Sequence, residues 1–470
     1  MVVDVNNDQE VPKKELSRVL KVGDLVSLSV SSVGPLFSVA ATGGVMAAQA
    51  GWWTLPAIAL IAIPFIVSGF VFRLLNRHFP HAGASYHWSA RVIGRTTSHF
   101  QAWILIVAYF LSIPSIIVPA STYTLSLIAP NYVASPYLRV AVGGLWVLFA
   151  LIPLLLGSIP TARVTQVFLF VELASLIGLG ILGVFSWKRL SVPIHFGHIP
   201  FSGIMVVAVV AATILDGWEI DSYASEESRR PKKDPGLGGI IGAFMALAFY
   251  AILYPLMLGE TPLSQLANAS NPLAVWGHRL VPGSPWIIGI PVLASTAGGL
   301  WLTSFILVRA LFAMGREKLV PSPFARISSN NVPKFATIVV LLAALGVTAF
   351  QFLFVSLGSF FSLVLAAAGF FLLAEFFIDS VTASVFLTLG HKRLPEAQLE
   401  KHDHRVLRFG ALFSAATFGF FLLAFVIYGP KAIGGPIDIV IAVLLAMGVL
   451  FTIKTKRSKN IYVFEADGAS

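Results

Sequence analysis

Stretches of about twenty residues that carry almost no charge recur from one end of this chain to the other, and that recurrence limits what the chain can become. Twelve can be marked: Asp24–Gly51, Leu55–Leu75, Phe100–Leu127, Val140–Leu156, Val167–Trp187, Ile204–Tyr223, Gly239–Leu258, Ile287–Met314, Phe335–Phe354, Ser359–Leu389, Phe409–Tyr428 and Ile437–Ile453. Wound as a helix rising about 1.5 Å per residue, a run of this length matches a bilayer's hydrocarbon core of about 30 Å. Within lipid each backbone N–H and C=O must be satisfied internally, and long continuous apolar runs achieve this as helices rather than as alternating barrel strands. The expected fold class is therefore an all-α integral membrane protein of twelve transmembrane helices. Only 11% of the 470 residues are charged, against about 25% in soluble domains. Soluble enzyme, nucleic-acid binder and disordered chain are all excluded on that ground.

The net charge of +10 is a matter of topology. With an even number of spans, 27 of the 32 Lys and Arg fall on the side of the termini, and only Arg139, Lys188, Arg189, Arg279 and Lys431 fall on the other. The excess of cations marks the cytoplasmic side. Both termini are therefore expected in the cytoplasm of a plasma or inner membrane protein, and no nucleic-acid partner is needed to explain the charge. The opening stretch Met1–Val22 is polar and lacks the apolar core of a signal peptide, so the first span is expected to direct insertion. The chain has no cysteine, which removes disulfide, thiolate and Cys-metal chemistry.

Two runs are interrupted near their middles. In the first, Gly34-Pro35 stands between Ser31-Ser32-Val33 and Leu36-Phe37; in the sixth, Thr213-Ile214-Leu215-Asp216-Gly217-Trp218-Glu219-Ile220-Asp221 sets three carboxylates around a glycine. Pro withdraws a backbone donor and Gly loosens the helix. Paired interruptions in two halves of a chain point to a transporter site at the membrane midplane. The competing explanation is a Pro kink in one helix and a frayed end in the other.

Ionisable residues within spans are costly and mark function. Glu172 lies about nine residues, or about 14 Å, into the fifth span; Glu375 lies at a similar depth in the tenth, with Asp379 one turn on. Glu172 has no cation in its own span and suits reversible protonation, or else holds a neighbouring helix's carbonyl. Asp216 reads equally as a partner for a substrate ammonium or as a helix cap. His402-Asp403-His404 reads as a solvated loop rather than a metal site. The glycines from Gly143 to Gly157 and at Gly178, Gly180 and Gly183 read as packing faces, and there is no Walker A sequence. No catalytic constellation and no metal site is expected.

Three loops carry a family likeness. Phe79-Pro80-His81-Ala82-Gly83-Ala84-Ser85-Tyr86-His87-Trp88 follows the second span. Asp216-Gly217-Trp218-Glu219 leads on to Glu226-Glu227 and Arg229-Arg230-Pro231. Arg309-Ala310-Leu311-Phe312-Ala313-Met314-Gly315-Arg316 leads to Pro321 and Pro333. Together these resemble the amino acid–polyamine–organocation transporters. The resemblance implies a LeuT-type five-plus-five inverted repeat, with helices 1 and 6 discontinuous and two helices added. On that plan residues 1–22 form a cytoplasmic segment, 23–190 and 200–390 the two repeats, 391–408 a cytoplasmic loop, 409–454 the last two spans and 455–470 a tail.

It further implies alternating access around a substrate lined by Ser31, Ser32, Val33, Gly34, Pro35, Thr213, Leu215, Asp216, Gly217 and Trp218. The family's Gly-Ser-Gly in the first break has become Val33-Gly34-Pro35 here, leaving fewer amides for a substrate carboxylate. Its fifth-span Lys has become Glu172, which takes the coupling role. The leading expectation is thus a proton-coupled symporter of amino acids or related amines, without a cofactor. Sodium stays open through hydroxyls and carbonyls near Ser304. A polyamine or organic-cation exchanger and a membrane ligand sensor are the alternatives.

Overall fold

The apolar runs lie in helix, apart from interruptions at Gly34 and between Leu215 and Ile220 and a 3-10 turn over Phe350–Leu353 at the end of the ninth. The computed structural model describes residues 15–354, 356–393, 404–434, 436–456 and 458. The sequence-based expectations for residues 1–14, most of the 391–408 loop including His402-Asp403, and most of the 455–470 tail lie outside the described residues. Among the described residues seventeen α-helices follow in order: α1 Val22–Val33, α2 Pro35–Ala50, α3 Thr54–His78, α4 Ala84–Val92, α5 Arg95–Ile128, α6 Pro136–Leu156, α7 Ser158–Leu190, α8 Phe201–Leu215, α9 Ile220–Tyr223, α10 Leu237–Glu260, α11 Leu263–Ala267, α12 Pro272–Leu280, α13 Trp286–Arg316, α14 Lys334–Ala349, α15 Leu357–Arg393, α16 Arg405–Ile433 and α17 Ile437–Thr455. Among the described residues the only β feature is an isolated parallel bridge between Leu20 and Ser228.

Ten stretches of the described residues are long and apolar enough to cross a membrane. The first, Val22–His78, takes in two of the apolar runs, and the run at 204–223 falls short because its helix stops at Leu215. The sequence pattern did not reveal α4, α11 and α12, helices of nine residues or fewer in the connections.

Burial sorts the helices. The most apolar stretch of α13 is wholly buried within the protein, whereas that of α17 is 17% buried. Around α13 lie α5, one face of α7, α2 and α1, while α7 and α17 turn large apolar side chains such as Phe170, Phe185 and Leu450 outward. Outward apolar faces of this extent belong against lipid. The core is therefore a set of helices that must satisfy their polar groups among themselves, and the two helix breaks sit inside it.

Candidate functional site

Gly34 adopts the left-handed conformation (φ 53°, ψ 60°), ending α1 and opening α2 in one residue. Pro35 takes the first position of α2, where a missing N–H costs nothing. The next two amides are free of helical partners, but neither is left open. Leu36 N–H donates to Glu172 Oε1 (3.1 Å), Phe37 N–H donates to Ser295 Oγ (3.0 Å), and Ser295 O–H donates to the same Glu172 oxygen (2.5 Å). Glu172 is thus fully buried on α7 and grips the first break from behind, with its Oε2 lacking any partner among the described residues.

The second break comes at Asp216, where α8 stops, and Gly217 (φ 102°) turns the chain toward α9. Glu219 folds back so that both its oxygens accept from Gly217 N–H (2.9 and 3.2 Å), while Tyr109 O–H donates to it at 2.8 Å. Asp221 caps the start of α10 by accepting from Gly236 and Gly239 N–H (2.7 and 2.9 Å). Asp216 alone of the three turns an oxygen, Oδ1, with no partner among the described residues.

The two breaks touch. A Cβ on Gly217 would stand 2.7 Å from the carbonyl oxygen of Ser32. Beside this contact runs a crevice of about 40 Å³, space for a few waters at roughly 10–15 Å³ each. Of the expected site residues, Ser32, Val33, Thr213, Asp216 and Gly217 line it; Ser31, Gly34, Pro35, Leu215 and Trp218 do not. Trp218 instead points into the aromatic core between Phe72 and Phe376, because its indole N–H donates to Leu215 C=O at 2.7 Å. Ser31 faces Gly298 of α13. Ser38, Thr42, Ser112, Ser115 and Thr303 complete the polar lining. They went unread in the sequence, where a serine inside a span looks the same whether it faces a cavity or bonds its own helix.

Away from the N-terminal face the crevice adjoins, at Ala41, a cavity of about 450 Å³ that reaches Gln49, Thr122, Asn268 and Ser362. The N-terminal face is sealed. Arg309 and Glu227 form a buried ion pair (2.9 Å), and Arg316 Nη1 meets Glu226 Oε2 at 2.9 Å. Residues 15–21 lie across this layer, with Val19 and Leu20 N–H both donating to Glu227 C=O (2.9 Å each).

His81, His87 and Glu317 bring three ligand-type atoms within 4.8 Å of one another on this face. The two imidazoles are stacked, 3.8 Å apart with planes inclined by 12°. Parallel ring planes cannot share one ion lying in both, so the arrangement does not fit a metal. Burial, and then the nearby His87 and Arg316, hold His81 well below the usual imidazole range, which suits a stacked pair.

Sequence comparison agrees with this geometry. The family described as amino acid permease matches residues 20–451. The chain belongs to the amino acid permease family. It is 24% identical over 429 residues to the branched-chain amino acid permease BcaP of Lactococcus lactis subsp. cremoris, covering 84% of this chain and 87% of that relative. It is 24% identical over 348 residues to the methylthioribose transporter of Bacillus subtilis, covering 69% and 72%. With the human large neutral amino acids transporter small subunit 2 it shares 27% over 296 residues, 57% of this chain and 54% of the relative. This permease is a multi-pass membrane transporter of the amino acid–polyamine–organocation superfamily and not an enzyme.

Proposed function

We propose that this permease is a secondary active transporter that carries amino acids with apolar side chains by alternating access, coupled to protons. The carrying observation is the crevice between the two touching breaks, bordered at Ala41 by a cavity on one face and closed toward the other by buried ion pairs. A crevice of about 40 Å³ admits an amino acid only when the flanking helices part, as a carrier requires. The reading includes twelve spans in a five-plus-five repeat with two added helices, and both termini in the cytoplasm. The cavity side is then extracellular. Asp216 Oδ1 is the partner for the substrate ammonium, and Val33, Ile116 and Leu365 suit an apolar side chain. The branched-chain and large-neutral relatives support the same class.

One observation favours a second reading, exchange of polyamines or other organic cations. The amides of Leu36 and Phe37, the natural holders of a substrate carboxylate, are already taken by Glu172 and Ser295. Thermal unfolding of the purified permease against neutral amino acids, basic amino acids and diamines separates the two. A ligand at 100 times its Kd adds about 2.7 kcal/mol to stability. Stabilisation by leucine or valine supports the first reading, and stabilisation by diamines alone overturns it.

Two substitutions test the roles of the acids. Glu172→Gln keeps an acceptor for Leu36 N–H and Ser295 but cannot release a proton. It is expected to abolish accumulation against a gradient in proteoliposomes while leaving substrate exchange intact; unchanged uphill uptake refutes the coupling role. Asp216→Asn is expected to cost roughly 2 kcal/mol or more of ammonium binding, as loss of a buried charge partner does. Substrate affinity by calorimetry reads it, and equal affinity would leave Asp216 with a backbone role only.

A further inference from the structure

The acids of α15 do not line the crevice, and the structure does not treat them as isolated carboxyls. Glu375 and Asp379 stand one turn apart on α15, both fully buried. Ser85, on α4 in the connection after α3, reaches between them, with its Oγ 3.0 Å from Glu375 Oε1 and 2.8 Å from Asp379 Oδ2. Tyr223 O–H donates to Glu375 Oε1 at 2.6 Å and lies 3.2 Å from Ser85 Oγ. Gln101 Nε2–H donates to Asp379 Oδ1 at 2.8 Å.

Counting hydrogens gives the result. The Tyr223 hydrogen is spent on Glu375, and the Gln101 amide on the far oxygen of Asp379. Ser85 owns a single hydroxyl hydrogen, yet its oxygen is at hydrogen-bond distance from both carboxyls. If it donates to Asp379, its contact with Glu375 Oε1 has no hydrogen unless Glu375 supplies one; if it donates to Glu375, Asp379 must supply one. Two ionised carboxylates one turn apart, facing a single hydrogen, would repel each other in a buried setting where charge is poorly screened. A second observation is independent of this count: Glu375 Oε2 is buried without any partner among the described residues, a vacant oxygen within the cluster.

The remaining titratable groups around the pair do not neutralise it. Glu219 and Tyr223 face it from the second break and α9, and Tyr109 of α5 joins Glu219 to them, its ring 5.8 Å from that of Tyr223. The neighbouring helices α3 and α16 present Phe65, Phe72 and Phe418 to this length of α15, and α8 meets it at Gly369.

We propose that Glu375, Asp379 and Ser85 form a proton-binding site separate from Glu172, occupied by one proton while α4 is docked on α15. The proton is the hydrogen that lets one hydroxyl join both carboxyls. Its release leaves two like charges sharing one donor, and α4 separates from α15. Because α4 lies on the sealed face, proton release there accompanies opening of that face. The contacts Glu219–Tyr109–Tyr223–Glu375 run from the second break, beside the substrate crevice, to the site.

The test has one arm that does not depend on transport and one that rests on the transport reading above. In the first, infrared spectra of the purified wild type and of Glu375→Gln/Asp379→Asn are titrated with pH. The wild type is expected to show a protonated-carboxyl carbonyl band that the double variant lacks, one carboxyl's worth in amplitude. Ser85→Ala keeps both acids and is expected to keep the band but shift its titration midpoint. Bands of equal amplitude in wild type and double variant overturn the proposal. Should the double variant fail to fold, an unshifted midpoint in Ser85→Ala overturns it instead. In the second arm, the double variant in proteoliposomes is expected to retain substrate exchange yet lose the pH dependence of the opening step. An unaltered pH profile with intact exchange also overturns the proposal. A wild type that moves no substrate refutes the transport reading and leaves the infrared result to decide the proton site.

Discussion

Gly217→Ala is expected to lower transport by at least about tenfold, equivalent to about 1.4 kcal/mol, in protein that still reaches the membrane. The reason is local. At φ 102° an L side chain is strained by roughly 1–3 kcal/mol, and the new methyl would stand 2.7 Å from Ser32 O and 2.8 Å from Ser32 C. These are backbone atoms of the other broken helix, so the methyl cannot be accommodated by rotating a side chain. Either α1 is pushed back from the crevice or Gly217 changes conformation and releases Glu219. Both outcomes disturb the contact around which the two halves move in the alternating access proposed above. Gly346→Ala is the control: it lies in α14, where an added methyl would meet none of the described atoms within 4 Å, and Ala in a helix gains about 0.5–1 kcal/mol over Gly. Initial uptake rates and melting temperatures of the two variants check the prediction, and a Gly217→Ala permease with wild-type rates sinks it.

The helices and the places where they break were legible because each rests on short-range chemistry. An apolar run of twenty residues has no soluble alternative, and Gly34-Pro35 or Asp216-Gly217 inside such a run cannot continue a helix without loss. Helix ends were less legible: α5 begins at Arg95, five residues before the apolar run, because polar residues at the interface extend a helix that hydropathy alone cuts short. The site was legible only in part. Ser32, Val33, Thr213, Asp216 and Gly217 could be named because they are the break or adjoin it. Trp218 could not be placed, since its direction depends on an indole bond to Leu215 C=O and on Phe72 and Phe376, which lie far away in sequence. The grip of Glu172 on Leu36 N–H joins residues 136 positions apart, and Ser85 meets Asp379 across 294. Contacts of that kind are decided by how whole helices pack, and no local pattern carries them.

Removing either partner of the Arg309–Glu227 pair is expected to destabilise the permease by about 3–5 kcal/mol, the cost of leaving one buried charge uncompensated. Arg309 Nε and Nη2 both donate to Glu227 Oε1 (3.2 and 2.9 Å), Nη2 also reaches Ser158 Oγ (3.0 Å), and the guanidinium lies 3.6 Å from the Phe305 ring centroid. Neither side chain is more than 2% exposed, so water cannot replace the missing partner. Arg309→Met and Glu227→Leu should each lower the melting temperature sharply. The double variant should recover most of the loss, since apolar residues of similar volume often replace a buried pair at little cost. That recovery separates folding from function, because the proposed alternating access requires the sealed face to open. Glu227 C=O holds Val19 and Leu20, and Arg309 runs from α13, the most buried helix, to this layer, so the pair ties the N-terminal segment to the centre of the protein. With apolar side chains the layer would stay packed but lose the ionic contact that breaks when water enters. The stable double variant is therefore expected to transport at least about tenfold more slowly, a loss of about 1.4 kcal/mol. Double-mutant cycles on both melting temperature and rate measure the two couplings separately. If the double variant regained stability and rate together, the pair would be a packing element of the sealed face and no part of its opening.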